Sequence, residues 1–204
     1  MSIVAAIASR TDLVVAADGL ACEDGVVVDE QYEKSVALNP RVCLASTGRS
    51  THLRNLLTQL DPRCAGLDED YAERGFQEQG LVIPGSYDSL SERVNDAFLA
   101  LHVDWIREDD FGNSAFLLCG RGVQGPAMLW LFTVRQEDGA LAPAQGVISV
   151  GRGTVPLIMG VMPDDPLYAR LERIILGTNR SCVGAEQRLV RAIRGASRGS
   201  ELYF

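Results

Sequence analysis

Three short apolar runs mark the first 46 residues: 2–8 (SIVAAIA), 13–17 (LVVAA) and 41–46 (RVCLAS). Ser9–Asp12 make a polar turn between the first two, so residues 2–17 read as a hairpin of two largely buried strands. Asp18-Gly19 closes the second strand. Residues 25–29 (GVVVD) and 32–38 (YEKSVAL) read as a further short strand pair, and Asn39-Pro40 turns the chain into the buried strand 41–46. A chain that opens this way is committed to a sheet before its first helix.

Thr47-Gly48 leads into that helix, with Ser50 or Thr51 as its N-cap and Leu53, Leu56, Leu57 and Leu60 as its apolar stripe. Residues 61–86 are irregular and acidic, and read as an exposed loop insertion with at most a turn of helix. Ser89-x-x-Glu92 is a capping box that opens a helix to about Trp105, with Leu90, Val94, Ala97, Phe98 and Leu101 on one face. Runs 114–119, 127–134 and 145–150 read as a three-strand antiparallel meander. A short segment at 154–162, a helix at 165–178, a strand at 187–193 and a terminal SELYF complete the order. Strands and helices come in separate runs, which argues for α+β packed layers rather than alternating βαβ units. Two antiparallel sheets with helices on both outer faces accommodate this order. There is no solenoid repeat and no interdomain linker, so residues 1–204 form a single domain.

Charge narrows the function. The net charge is −8, which argues against nucleic acid or anionic membrane as a partner, since such binding runs on basic patches. Five widely spaced cysteines with no C-x-x-C suit a reducing cytoplasm, with Cys43 and Cys119 as buried thiols. Two histidines make a His-rich metal site improbable, and no metal or cofactor is implied. No apolar run reaches transmembrane length, and the N-terminus lacks the basic start of a signal peptide. Of 19 basic residues, Lys34 alone is lysine; all the others are arginine.

Two glycine motifs invite a phosphate reading. Gly120-Arg121-Gly122-Val123-Gln124-Gly125 matches G-x-G-x-x-G, but it runs into Pro126 and a strand, so it reads as a hairpin turn. Gly151-Arg152-Gly153-Thr154-Val155-Pro156 reads as a strand feeding a turn into a helical segment. Such a turn holds an anion on backbone N–H groups, so a phosphate- or nucleotide-binding protein is one alternative.

The N-terminus carries the sharper chemistry. Ser2 follows the initiator Met, and a small residue there permits Met removal. A mature N-terminal Ser has a hydroxyl and an α-amine, whose ordinary pKa of about 7.7–8.0 suits a general base at neutral pH. An ammonium nearby lowers both pKa values by its charge, and Asp18 is placed to hold one. Ser2 to Asp18 spans 16 residues, and Asp18 to Lys34 spans another 16.

With Ser2-Ile3-Val4, Val14-Val15-Ala16-Ala17-Asp18-Gly19 and Lys34 at these intervals, the chain resembles proteasome β-type subunits and their bacterial proteasome-like relatives. The order of elements resembles them as well. The resemblance implies a four-layer αββα sandwich of the N-terminal nucleophile hydrolase class. It implies a peptidase with Ser2 as nucleophile, where the family has Thr, tuned by Asp18 and Lys34. It also implies an oxyanion donor among the backbone N–H groups of Ser46, Thr47 and Gly48. Ala21, Tyr32 and Val36 would line a pocket favouring apolar side chains of a peptide or protein substrate. Only Met removal would be needed for maturation. The family further implies a homo-oligomeric ring or double ring, often with an ATPase partner. Two positions depart: Arg152 stands where the family has Ser, and Arg180 where it has Asp. A catalytically silent structural subunit that retains Met1 is therefore the other alternative.

Overall fold

The computed structural model describes residues 3–8, 13–17, 21–23, 26–29, 32–107, 114–135, 141–149, 155–159 and 165–177. The hairpin forms as β1 (Val4–Ala8) and β2 (Leu13–Ala17), with Val4 opposite Ala17. β3 (Ala21–Glu23) and β4 (Val26–Asp29) pair with each other as a two-stranded ribbon. The expected pairing of 25–29 with 32–38 is thereby corrected: β5 (Ser35–Asn39) pairs instead with β6 (Val42–Thr47). β7 (Ala115–Gly122), β8 (Gly125–Arg135) and β9 (Leu141–Ser149) form the meander, and the antiparallel order β5-β6-β7-β8-β9 makes a five-stranded sheet.

Residues 155–159 differ from expectation. They form β10 (Val155–Met159), among the described residues an edge strand, which pairs antiparallel with β1 and puts Pro156 opposite Ile7. Proline is tolerated on an edge because its missing N–H withdraws no bond from a second neighbour. The segment expected to continue the Gly151–Pro156 turn as a helix is thus a strand from Val155, while Gly151–Thr154 lie outside the described residues.

Alternation divides the core in two. On one face of the five-stranded sheet, Val36, Leu44, Phe116, Leu118 and Leu129 meet α1 (Ser50–Leu60) and α3 (Tyr87–Arg107). The predicted stripe of α1 is wholly buried, as are Leu90, Val94, Ala97 and Phe98 of α3. On the other face, Ala45, Leu117, Cys119 and Met128 pack against Val4 and Ala6 of β1 and Met159 of β10. The three-stranded sheet β10-β1-β2 therefore stacks on the five-stranded one. Helix α4 (Pro166–Gly177) runs against β10. The architecture is mixed α+β with antiparallel sheets and helices. No described helix is long and apolar enough to cross a membrane.

Segment 61–86 is corrected most. Asp61 accepts the Arg63 N–H (3.0 Å) and opens a 3-10 turn, Pro62–Gly66; α2 (Ala72–Glu78) follows. Cys64, Leu67, Phe76 and Ile83 enter the helix-side core while most of the acids face outward. The far end is sewn to β5: Ile83 N–H donates to Leu38 O (2.8 Å), and the Asn39 amide donates to the carbonyls of Ile83 (3.1 Å) and Gly85 (3.2 Å). The segment is a docked layer rather than an exposed insertion.

Helix starts also shift. Ser50 is the first residue of α1 rather than its cap, because its hydroxyl is engaged elsewhere. α3 begins two residues before the expected box, and the Ser86 hydroxyl accepts the Ser89 N–H (3.2 Å). The G-x-G-x-x-G stretch is the hairpin turn joining β7 to β8, with Gly122 opposite Gly125. Its first glycine has a packing reason: a Cβ on Gly120 would lie 2.6 Å from the Tyr87 ring.

Candidate functional site

Lys34 sits just before β5 and is 5% exposed, unusual for lysine. Its carbonyl accepts the Ser46 N–H at 2.9 Å, which extends the β5–β6 ladder by one pair and sets Lys34 opposite Ser46. Two of the sequence-predicted site segments are therefore in contact. β1 and β2, which lie next in sequence to Ser2 and Asp18, are paired along their length. Ser2, Asp18, Arg152 and Arg180 themselves lie outside the described residues. So does the side chain of Ala21, whose backbone belongs to β3.

The geometry sorts the three oxyanion candidates. Successive N–H groups of a strand point to opposite sides. The Ser46 N–H is spent on Lys34. The Thr47 N–H then points toward β7, where Thr47 pairs with Ala115. Gly48 has φ 98°, a left-handed conformation that favours glycine, and the turn leaves it exposed. Of the three, Gly48 is exposed, whereas Ser46 and Thr47 are buried.

Beneath this pair lies a group that the sequence reading missed. Glu73 of α2 is 2% exposed. Its carboxylate accepts from Tyr32 Oη (2.6 Å), Ser50 Oγ (3.2 Å) and Ser46 Oγ (3.3 Å). Burial pushes the Glu73 carboxyl above its ordinary range, against the pull of the Tyr32, Ser50 and Ser46 hydrogen bonds. The Tyr32 hydroxyl is raised too, by burial first and by the Glu73 charge second. Of the expected pocket residues, Tyr32 turns its hydroxyl to this carboxylate, and Val36 is fully buried in the helix-side core. A signal for Glu73 exists in the sequence. Ala72, Glu73 and Phe76 share one helical face, so the stripe that buries Phe76 also carries Glu73 inward.

A second buried polar pair lies at the same N-terminal end of α1. His52 Nδ1 is 2.7 Å from Ser114 Oγ, a nucleophile–base distance, and the Arg49 N–H donates to the same oxygen (3.3 Å). Both side chains are buried, and the imidazole stacks on Trp105 at 4.5 Å. Burial, then the Arg49 charge, lowers the His52 pKa to about 4. The pair is a tie between α1 and β7, not an exposed nucleophile. Because the folded value lies below the ordinary 6.5, the unfolded chain binds the extra proton between pH 6.5 and 4. Stability from this group is complete above pH 6.5 and is lost as pH falls through that window, by about 3 kcal/mol. Urea midpoints between pH 7 and 4.5 should fall, and His52→Gln should flatten that slope.

Cys43 and Cys119 face each other across β6 and β7 as free thiols. Burial pushes Cys43 up to about 11 and Cys119 well above its ordinary value, so neither is a thiolate nucleophile at neutral pH. Among the described residues, no cluster of His, Cys, Asp and Glu is arranged to hold a metal ion.

Comparison with protein-family models finds no match, and comparison with curated proteins finds none either.

Proposed function

We propose that the chain is a proteasome-like peptidase of the N-terminal nucleophile class. The observation that carries the reading is Lys34, the single lysine, buried and bonded through its backbone to Ser46 at the mouth of the Gly48 turn. Helices α1 and α3, the five-stranded sheet, the three-stranded sheet and α4 follow an order that supports a four-layer αββα sandwich.

In this reading the Ser2 hydroxyl attacks a peptide carbonyl and its own α-amine takes the proton. The Gly48 N–H stabilises the oxyanion. The amine returns the proton to the leaving nitrogen, and water then cleaves the acyl-ester. Lys34 lowers the pKa of amine and hydroxyl, and Asp18 holds the ammonium. The subunits assemble into a ring or double ring, with an ATPase supplying unfolded substrate. Lysine suits this role where arginine does not, since an ammonium is a compact charge with an adjustable pKa.

Arg152 and Arg180, in place of a Ser and an Asp, favour a second reading: a silent structural subunit of the same ring. Intact mass of the protein from its native host separates the two. Loss of Met1 supports the peptidase. Complete retention of Met1 makes the Ser2 nitrogen an amide, deletes the base and leaves the silent subunit. A large ring in solution is expected under both, and a stable monomer contradicts both.

A further inference from the structure

We propose that Cys43 and Cys119 form a redox-sensitive modification site: a peroxide closes them into a disulfide that ties β6 to β7, and a thiol reductant reopens it. This chemistry needs neither the N-terminus nor the peptidase activity.

Register brings the two sulfurs together. β6 and β7 pair without a shift, with Val42 opposite Gly120, Cys43 opposite Cys119 and Leu44 opposite Leu118. Directly opposed residues of an antiparallel pair have Cα atoms about 4.5–5.5 Å apart, within the roughly 4.4–6.8 Å that a disulfide spans. Their side chains also stand on the same face of the sheet. That face looks toward the three-stranded sheet, where Cys119 packs with Ala45, Leu117 and Met128. The two thiols sense each other: burial first, and electrostatic repulsion from Cys43 second, raise the Cys119 thiol.

Exposure divides the roles. Cys43 is half-buried and Cys119 is buried, so Cys43 meets an oxidant first and Cys119 resolves the product. A hydrogen bond with the Ser35 side chain of β5 favours the Cys43 thiolate, against the larger effect of burial. Cys64, the third free thiol among the described residues, is buried in the helix-side core on the opposite face of the sheet, and so does not compete.

The Cys43 thiol gives its proton to solvent, and the thiolate attacks one oxygen of the peroxide. The O–O bond breaks, leaving a sulfenic acid on Cys43 and a hydroxide that takes up a proton. The Cys119 sulfur then attacks the Cys43 sulfur, the S–S bond forms, and the hydroxyl leaves with the Cys119 proton as water. The thiol pair gives up two electrons, and one peroxide becomes two waters. Because burial keeps both thiols protonated at neutral pH, closure is slow and answers to sustained oxidation rather than to a brief pulse. Helices α1, α2 and α3 all lie between residues 43 and 119. The bond therefore encloses the helix layer of the five-stranded sheet in one loop and restricts the unfolded chain.

The test treats the folded, reduced protein with hydrogen peroxide at mildly alkaline pH, alkylates the remaining thiols and maps peptides without reduction. The expected result is a linked Cys43–Cys119 peptide in most chains, lost on dithiothreitol treatment, and a urea midpoint above that of the reduced protein. In Cys119→Ala, Cys43 should be trapped by dimedone as its sulfenic acid, several-fold more than in the unaltered protein. Unreacted thiols, a Cys43 sulfenic or sulfinic acid with no linked peptide in the unaltered protein, or linkage of Cys43 to a different cysteine overturns the site. A linked protein whose midpoint is no higher than that of the reduced form overturns its hold on the helix layer.

Discussion

Lys34→Met is expected to lower peptide turnover by roughly 10²–10⁴-fold, the range for loss of a positioned acid–base group, while the fold persists. Methionine has a similar unbranched reach and no charge, so it suits a site where the lysine is 5% exposed. The backbone bond from the Ser46 N–H to the carbonyl of residue 34 does not depend on the side chain. What is lost is the ammonium, the charge that in the proposed mechanism keeps the N-terminal amine neutral and the serine hydroxyl reactive. Single-turnover hydrolysis and circular dichroism on the same sample check both halves. Turnover that survives in a folded variant removes Lys34 from the site. Lys34→Arg should not rescue, since a guanidinium is a broad planar fork in a site built around a compact charge.

Phe98→Ala is expected to be the most damaging change outside the site, at about 3–5 kcal/mol of stability. Phe98 is 1% exposed and meets Trp105 and Phe116 edge-on, with centroids at 6.0 and 6.1 Å. Its removal opens a cavity where α3 rests on the five-stranded sheet, and it strips two aromatic contacts at once. A loss of that size is a large share of the about 5–15 kcal/mol that holds an ordinary domain together. Denaturant midpoints measure it. A loss under about 1 kcal/mol would mean that the helix layer does not rest on this cluster.

Much of the architecture was legible because it rests on periodicity. The stripe Leu53, Leu56, Leu57, Leu60 and the meander runs report their elements directly, and the structure follows them. What was not legible depends on partners far along the chain. Ser50 looks like a cap, yet its hydroxyl goes to Glu73, 23 residues away. Pro156 looks like the first turn of a helix, yet the free edge of β1 recruits its segment as a strand. Segment 61–86 looks solvated because six acids and four glycines break up its apolar residues, yet β5 offers an edge carbonyl and Asn39 to hold it.

The candidate site divides the same way. Lys34 was legible as the one lysine in a chain of arginines, and its burial is what such a role needs. Glu73 was missed, since a glutamate in an acidic run stands out only once the helix that carries it is placed. Only the face it shares with Ala72 and Phe76 turns it inward, to Tyr32, Ser46 and Ser50. The glycine motif was legible as a turn, but the reason for Gly120 was not, because the Tyr87 ring that crowds it begins another element.

The central claim is that the mature N-terminal serine is the nucleophile. The direct measurement is intact mass and peptide mapping after treatment with an electrophile that bridges an N-terminal amine and its own hydroxyl. The account predicts loss of Met1, one adduct per chain mapped to Ser2, and no adduct in Ser2→Ala. An unmodified chain, or an adduct that persists in Ser2→Ala, would contradict it.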